Sequence, residues 1–477
     1  MKLLKEKIGY GFGDMASSMF WKIFSYYLPF FYSNVFGLSL VDAGVLVIVT
    51  RVWDAISDPM MGIVADRTHS RWGKYRPWLL WMSVPFSVCG VLLFTTPDLA
   101  YAGKLLWAYV TYVLMMTVYT GINVPYGAML GVMSDSPDEK TEFSSFRMIF
   151  AYAGSFVALA SWEPLCSMFQ SIAGAGLQQS WQLAMVVIAA ASCMLFLCCF
   201  RLTRERLHSL SCVSIGADFK ALMRNRPWWI LIGAAMCFNL FSTVRGATVA
   251  YFFVDVVGSG AHLNFGSASI LFYSGLFLSV GEVANMAGVA LAMPVTARLG
   301  KKSTFIWVNA MLVVFSTMFF IVPVSPSGYW MMLILQVMIS VLTGMMSPLV
   351  WSMYADVSDY SELRNHTAST GLIFSSSSMA QKFGGAIGGW AVLSMLGMFG
   401  YVADAGVVQS QSAITGLWLL MSMIPAAVSL VAIAVVSFYP LDTRRVGIIV
   451  DRLRQRRDAA ARPASYYEMT DYADTNN

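Results

Sequence analysis

The chain has 477 residues, of which 57% are hydrophobic and 12% charged, with a formal net charge of +5. A soluble domain carries about 25% charged residues, so this chain has too little charge to cover a water-facing surface, and a soluble enzyme is excluded. Its apolar stretches are continuous rather than alternating, which excludes a membrane β-barrel and specifies an all-α polytopic membrane protein.

The first apolar run, residues 14–36, follows the basic start MKLLKEK and lacks a small-residue cleavage signal, so it reads as a retained span. Within it Asp14, Ser18 and Lys22 recur at i, i+4 and i+8 among Phe20, Trp21, Phe24, Tyr26 and Tyr27. Such a polar stripe with aromatic neighbours suits a cavity that binds hydroxyls and stacks a ring. The second run, 41–62, sets Arg51, Asp54 and Asp58 on one helical face at i, i+3 and i+7. Two carboxylates against one arginine leave net negative charge inside the bilayer. That suits an oxygen-ligand cation site or a proton carrier, and equally a buried brace between helices.

Runs at 78–97, 104–131, 146–165 and 181–202 complete a first set of six. A second six falls at 227–256, 268–297, 303–323, 328–355, 370–399 and 413–440, with Arg245, Glu282 and Lys382 inside them. Each charge at the bilayer centre costs about 2.5 to 3.5 kcal/mol, so these groups must compensate one another or face water.

The organisation is thus a six-helix bundle at 1–202, a central cytoplasmic loop at 203–226, a second bundle at 227–440 and a tail at 441–477, disordered from Asp458 to Asn477. Loop basicity orients it: the termini and the even-numbered connections hold nearly all of the loop Lys and Arg, whereas Lys104 alone of the 31 basic residues lies in an opposite loop. Both termini are therefore expected in the cytoplasm, and the net charge marks topology rather than nucleic-acid binding. Seven cysteines without CxxC spacing and four scattered histidines indicate neither a disulfide framework nor a metal site. No nucleophile and base pair of enzymatic spacing appears. The halves echo each other, GIVADRTHSRWGKYRP after span 2 with ARLGKKS after span 8, and NVPYGAMLGVMSD in span 4 with SPLVWSMYADVSD in span 10. Repeated halves place a substrate site between them and permit alternating access.

Gly62, Asp66, Arg67, Arg71, Gly73, Lys74, Arg76 and Pro77 resemble the signature loop of the major facilitator superfamily. More specifically, YGFGD (Tyr10 to Asp14), RVWDAISDPMMG (Arg51 to Gly62), SRWGKYRP (Ser70 to Pro77), NVPYG (Asn123 to Gly127), ADVSDYSE (Ala355 to Glu362) and QKFGGAIGG (Gln381 to Gly389) resemble the glycoside-pentoside-hexuronide:cation symporters, in that family's order over nearly the whole chain. The resemblance implies a major facilitator fold in a bacterial cytoplasmic membrane. It also implies import of a sugar by symport with Na⁺ or H⁺, with no cofactor beyond the coupling ion. On that resemblance Asp54 and Asp58 bind the cation, helped by Thr120. Ser57 stands between the acids where the melibiose permease branch has asparagine, which leaves the ion open.

The sugar set implied is Asp14, Ser18, Lys22, Asn123, Arg147, Arg245, Ser378 and Lys382. Ser18 and Asn123 replace the aspartates with which the melibiose permease branch holds its galactoside, so melibiose is not expected. Arg147 and Lys382 match bases that the family keeps at its sugar or cation site. Buried bases suit the carboxylate of a hexuronide. If instead Lys22 pairs with Asp14 or Asp54, and Arg245 with Glu282, a neutral glycoside or pentoside fits, and that is the favoured expectation. A further alternative is a hexuronide carrier or facilitator with Lys22 permanently filling the cation site. Asp66, Arg67, Arg71, Asp356, Asp359 and Glu362 are expected as gating salt bridges of the outward-facing state.

Overall fold

The computed structural model describes residues 2–134, 137–172, 174–206, 223–258, 260–265, 268–365, 370–403 and 407–461. Helices account for nearly all of it. The first six crossings are α1 (Lys2–Tyr26), α2 (Leu40–Asp66), α3 (Arg76–Leu93), α4 (Tyr101–Met133), α5 (Pro137–Ile172) and α6 (Leu177–Leu202). The second six are α7 (Arg226–Phe252), α8 (Ser274–Leu299), α9 (Lys301–Phe320), α10 (Pro326–Asn365), α11 (Thr370–Met398) and a broken twelfth, α12 (Gln411–Met421) with α13 (Met423–Ser437). An even number of crossings returns both ends of the bundle to one face, called here the terminal face.

Nine of these segments are long and apolar enough to cross a membrane by length and composition, counted over the described residues. The other three, α1, α2 and α11, hold Asp14, Lys22, Arg51, Asp54, Asp58 and Lys382, and these charges together with hydroxyl side chains lower their hydropathy. Helix α2 separates its two roles by face. Val45, Val49, Val52, Ile56, Met60 and Ile63 are 42% to 57% exposed and form a lipid-facing stripe, whereas Arg51 is 8% and Asp54 0% exposed.

The internal repeat is visible in the backbone. Span 1 continues beyond α1 into a π-helical turn, Phe31–Val35, and span 7 ends in another, Phe253–Val257. Each precedes a glycine at positive φ, Gly37 at 82° and Gly258 at 80°, a conformation that a side chain disfavours. Pro125 and Pro348 lie inside α4 and α10 at matching places.

Three sequence expectations are corrected. Residues 268–271, read as the start of span 8, form strand β2 (Ala268–Leu271), paired antiparallel with β1 (His262–Phe265); α8 begins only at Ser274. Four apolar residues carry no periodicity that tells strand from helix. The tail forms α14 (Thr443–Ala461), so helix persists past Asp458, because Ile449 and Leu453 are buried in the core of the second half. Residues 462–477 lie outside the described residues, as do 207–222 of the central loop. Span 1 also begins far earlier than 14, its helix starting at Lys2.

The entry to α3 shows how one charge orders the terminal face. Glu205, just beyond α6, accepts the backbone N–H groups of Lys74, Tyr75 and Arg76 at 2.7 Å each. These N–H groups lie at a helix N-terminus, where a carboxylate is favoured. Gly73, at φ 113°, leaves the space that the carboxylate occupies. Replacing Glu205 by alanine removes these three hydrogen bonds and is expected to cost on the order of 1 to 3 kcal/mol, read as a lowered thermal midpoint in detergent; an unchanged midpoint would contradict this anchoring role.

Candidate functional site

Helix α2 turns its polar face toward α4 and α11. Thr120 on α4 places its hydroxyl 2.9 Å from Asp58 Oδ1 and 3.2 Å from Asp54 Oδ1. Ser57 Oγ is 3.5 Å from Thr120 Oγ1 and donates to the Asp54 carbonyl at 3.3 Å. Lys382, from the other half of the chain, pairs with Asp58 and stands 3.3 Å from Asp54 Oδ2. Arg51 Nη1 is 3.5 Å from the same Asp54 oxygen, and its guanidinium lies over the Trp21 ring at 4.6 Å. Asp54, Asp58, Ser57 and Thr120, expected together as a cation site, are thus gathered into one oxygen cluster. Its two carboxylates are balanced by two cationic side chains. Asp54 Oδ2 makes no hydrogen bond.

A cavity of about 280 Å³ lies between the halves. Lys22 and Arg245 line it together with Trp21, Tyr26, Glu282 and Gln336. Lys22 Nζ donates to Glu282 Oε1 at 2.5 Å and to the Tyr26 hydroxyl at 3.2 Å, so it pairs with neither Asp14 nor Asp54. Nor does it fill the cation cluster, where Lys382 stands instead. Arg245 does not pair with Glu282. Its guanidinium donates to Gln336 Oε1 at 2.9 Å and to the Met421 carbonyl at 2.6 Å, above the Phe319 ring at 4.7 Å. That carbonyl lies at the break between α12 and α13, where Ser422 leaves helical geometry at φ −132° and ψ −77°. The break frees a backbone acceptor for the guanidinium.

The remaining expected sugar residues form other groups. Arg147 Nε donates to Asp14 Oδ2 at 2.9 Å, joining α5 to α1 nearer the terminal face. Asn123 accepts from Ser17, not Ser18, at 2.9 Å, while Ser18 is half-buried. Ser378 is exposed on α11 and does not line the cavity. Of the expected gating residues, Asp356 pairs with Lys301 Nζ at 2.7 Å, a contact between α9 and α10 within one half. Asp359 and Glu362 follow on α10, Arg67 and Arg71 are exposed, and the Asp66 side chain lies outside the described residues. Sequence reasoning tracked charges and therefore missed Gln336, Asn239, Asn285 and Gln381 in the cavity wall. The available signal was an amide inside an apolar run.

On the face opposite the termini the halves are joined by hydrogen bonds. Ser33 and Tyr251 hydroxyls lie 2.8 Å apart, and Asn34 donates to the Tyr401 hydroxyl at 3.0 Å. Glu163 on α5 accepts from Ser274, from Tyr27 at 3.1 Å and from the Gly275 N–H at 3.1 Å, capping the start of α8 across the interface. These contacts tie the two halves together on that side. Glu163→Ala removes this cross-half cap. A cysteine placed at the cavity residue Ser242 is then expected to react several-fold faster with an impermeant reagent added opposite the termini; unchanged labelling would refute the latch.

The sequence profile of the family described as MFS/sugar transport protein matches residues 9–443. The chain is 34% identical over 455 residues to the inner membrane symporter YicJ of Escherichia coli K12, covering 95% of each. It is 31% identical over 455 residues to the isoprimeverose transporter of Lactiplantibacillus pentosus, covering 94% of this chain and 90% of that one. The crystal structure of the nucleoside transporter NupG superposes with a TM-score of 0.61 at 13% identity, covering 90% of this chain and 98% of that one, a likeness of fold.

Proposed function

The chain belongs to the MFS/sugar transport protein family, and on that premise we propose that it imports a neutral glycoside or pentoside together with Na⁺ or H⁺. It is a multi-pass membrane transporter of sugars, not an enzyme. The observation that carries the coupling is the reach of Lys382 from the second half into the acidic cluster of the first. Asp54, Asp58, Ser57 and Thr120 offer oxygens to the ion, and the ion displaces the lysine ammonium because the cluster is already neutral. Displacement loosens one contact between the halves and lets them rock around the cavity. With the termini in the cytoplasm of a bacterial cell, as loop basicity supports, the contacts that join the halves on the opposite face would have to part for the cavity to open outward.

Lys22, Arg245, Gln336 and the aromatic rings around the cavity provide the sugar contacts. The neutral reading is supported by the pairing of Lys22 with Glu282, which cancels its charge, and by similarity to a carrier named for isoprimeverose. One charge crossing 100 mV supplies about 2.3 kcal/mol, enough for roughly fifty-fold accumulation at one-to-one coupling. A second reading has its own observation. Arg245 is 5% exposed and, among the described residues, its partners are an amide and a carbonyl rather than a carboxylate. An acidic sugar would complete it.

Calorimetric binding of neutral glycosides, pentosides and uronides to the purified protein, with and without Na⁺ and across pH, separates these readings. A neutral sugar is expected to bind with an affinity that depends on Na⁺ or on pH. Indifference to both would overturn symport, and selective binding of uronides that is lost in Arg245→Gln would favour the acidic substrate.

A further inference from the structure

The internal repeat relates the cation cluster to a second set of residues. Aligning Val64 to Arg67 (VADR) with Val295 to Arg298 (VTAR) sets Asp54 opposite Asn285, and aligning Pro125 with Pro348 sets Thr120 opposite Thr343. The contacts repeat as well. Thr343 Oγ1 donates to Asn285 Oδ1 at 3.0 Å between α10 and α8, as Thr120 Oγ1 approaches Asp54 Oδ1 at 3.2 Å between α4 and α2. One turn before Asn285, on the same face of α8, stands Glu282. It is 2% exposed, it lines the cavity with Asn285 and Thr343, and its Oε2 has no hydrogen-bond partner. Asp54 Oδ2 is its counterpart in that respect. Close approach of α8 and α10 makes the arrangement possible, since a Cβ at Gly288 or Gly344 would strike the backbone of the facing helix.

Both clusters are filled from across the interface. Lys382 of the second half enters the first cluster, and Lys22 of the first half enters the second. We propose that Glu282, Asn285 and Thr343 form a second site for a monovalent cation and that Lys22 is its tethered occupant. One carboxylate with two neutral oxygens balances a single positive charge, and hard oxygen ligands suit Na⁺. The molecule therefore holds two cation positions, one whose lysine gives way to a mobile ion and one whose lysine stays, and a single ion crosses with each sugar. This rests on the reading of Asp54 and Asp58 as the mobile-ion site, but its test does not.

The full-length protein carrying Asp58→Asn, which disables the first site, is titrated with Na⁺ alone, by equilibrium binding of radioactive Na⁺ and by thermal shift. Adding Lys22→Met is expected to create one saturable Na⁺ site, and adding Glu282→Gln as well is expected to abolish it. A folded Lys22→Met protein that binds no Na⁺ overturns the proposal. Asn285→Asp, with Lys22 retained, is an independent arm should Lys22→Met not fold: a second carboxylate there leaves one negative charge beyond what Lys22 balances and is expected to create saturable Na⁺ binding where the Asp58→Asn parent shows none, and Thr343→Val to weaken it, whereas no binding overturns the proposal. Failure of the Asp54 and Asp58 reading would show separately, as cation-dependent sugar binding unaffected by Asp58→Asn.

Discussion

In the proposed mechanism the contact of Lys382 with Asp58 and Asp54 is central, because it compensates charges that the membrane otherwise rejects while joining two halves that must part. Asp54 is fully buried, and a buried carboxylate is costly without a nearby positive charge. Arg51 supplies one such charge from its own helix, and Lys382 the other from across the interface. A cluster of two acids and two bases is neutral, so an arriving cation makes it positive unless a base withdraws. Arg51 is held on the same helical face under the Trp21 ring, whereas Lys382 sits on a flexible stem on the other bundle. On the proposed mechanism the ammonium is the group that leaves, and its departure changes the contact between halves. Coupling follows from charge balance, and it must be reciprocal: whatever sugar does to the ion's affinity, the ion does to the sugar's.

The surrounding structure serves that interaction. Helix α2 keeps aliphatic residues toward lipid and its charges toward α4 and α11. Hydrogen bonds at Ser33 and Asn34, and those that Glu163 accepts, tie the halves together on the face opposite the termini. Within each half, ion pairs such as Lys301 with Asp356, and the cap of Glu205 on α3, keep the bundles rigid so that motion concentrates between them. The twelfth span is broken where Arg245 takes a backbone carbonyl, so the irregular backbone holds a guanidinium of the cavity wall.

Much of this was legible in the sequence, and for physical reasons. Charge inside an apolar run is costly, so Asp54, Asp58, Lys22, Glu282, Arg245 and Lys382 marked themselves, and the spacing of Arg51, Asp54 and Asp58 fixed their common face. Partner choice was not legible, because it depends on which helices meet. Lys22 was expected near Asp14 or Asp54 but reaches Glu282 on α8, and Asp14 finds Arg147 on α5. Neutral donors such as Gln336 and Asn285 stayed hidden because an amide in a span costs too little to stand out. The hairpin at residues 262–271 was absorbed into span 8 because four apolar residues fit either structure.

The most direct test of the central claim is the cation affinity of Lys382→Met, measured with and without saturating sugar. If the ammonium competes with the ion for Asp54 and Asp58, removing it tightens cation binding and abolishes the effect of sugar on that affinity. Weaker cation binding, or coupling to sugar that survives unchanged, would contradict the account.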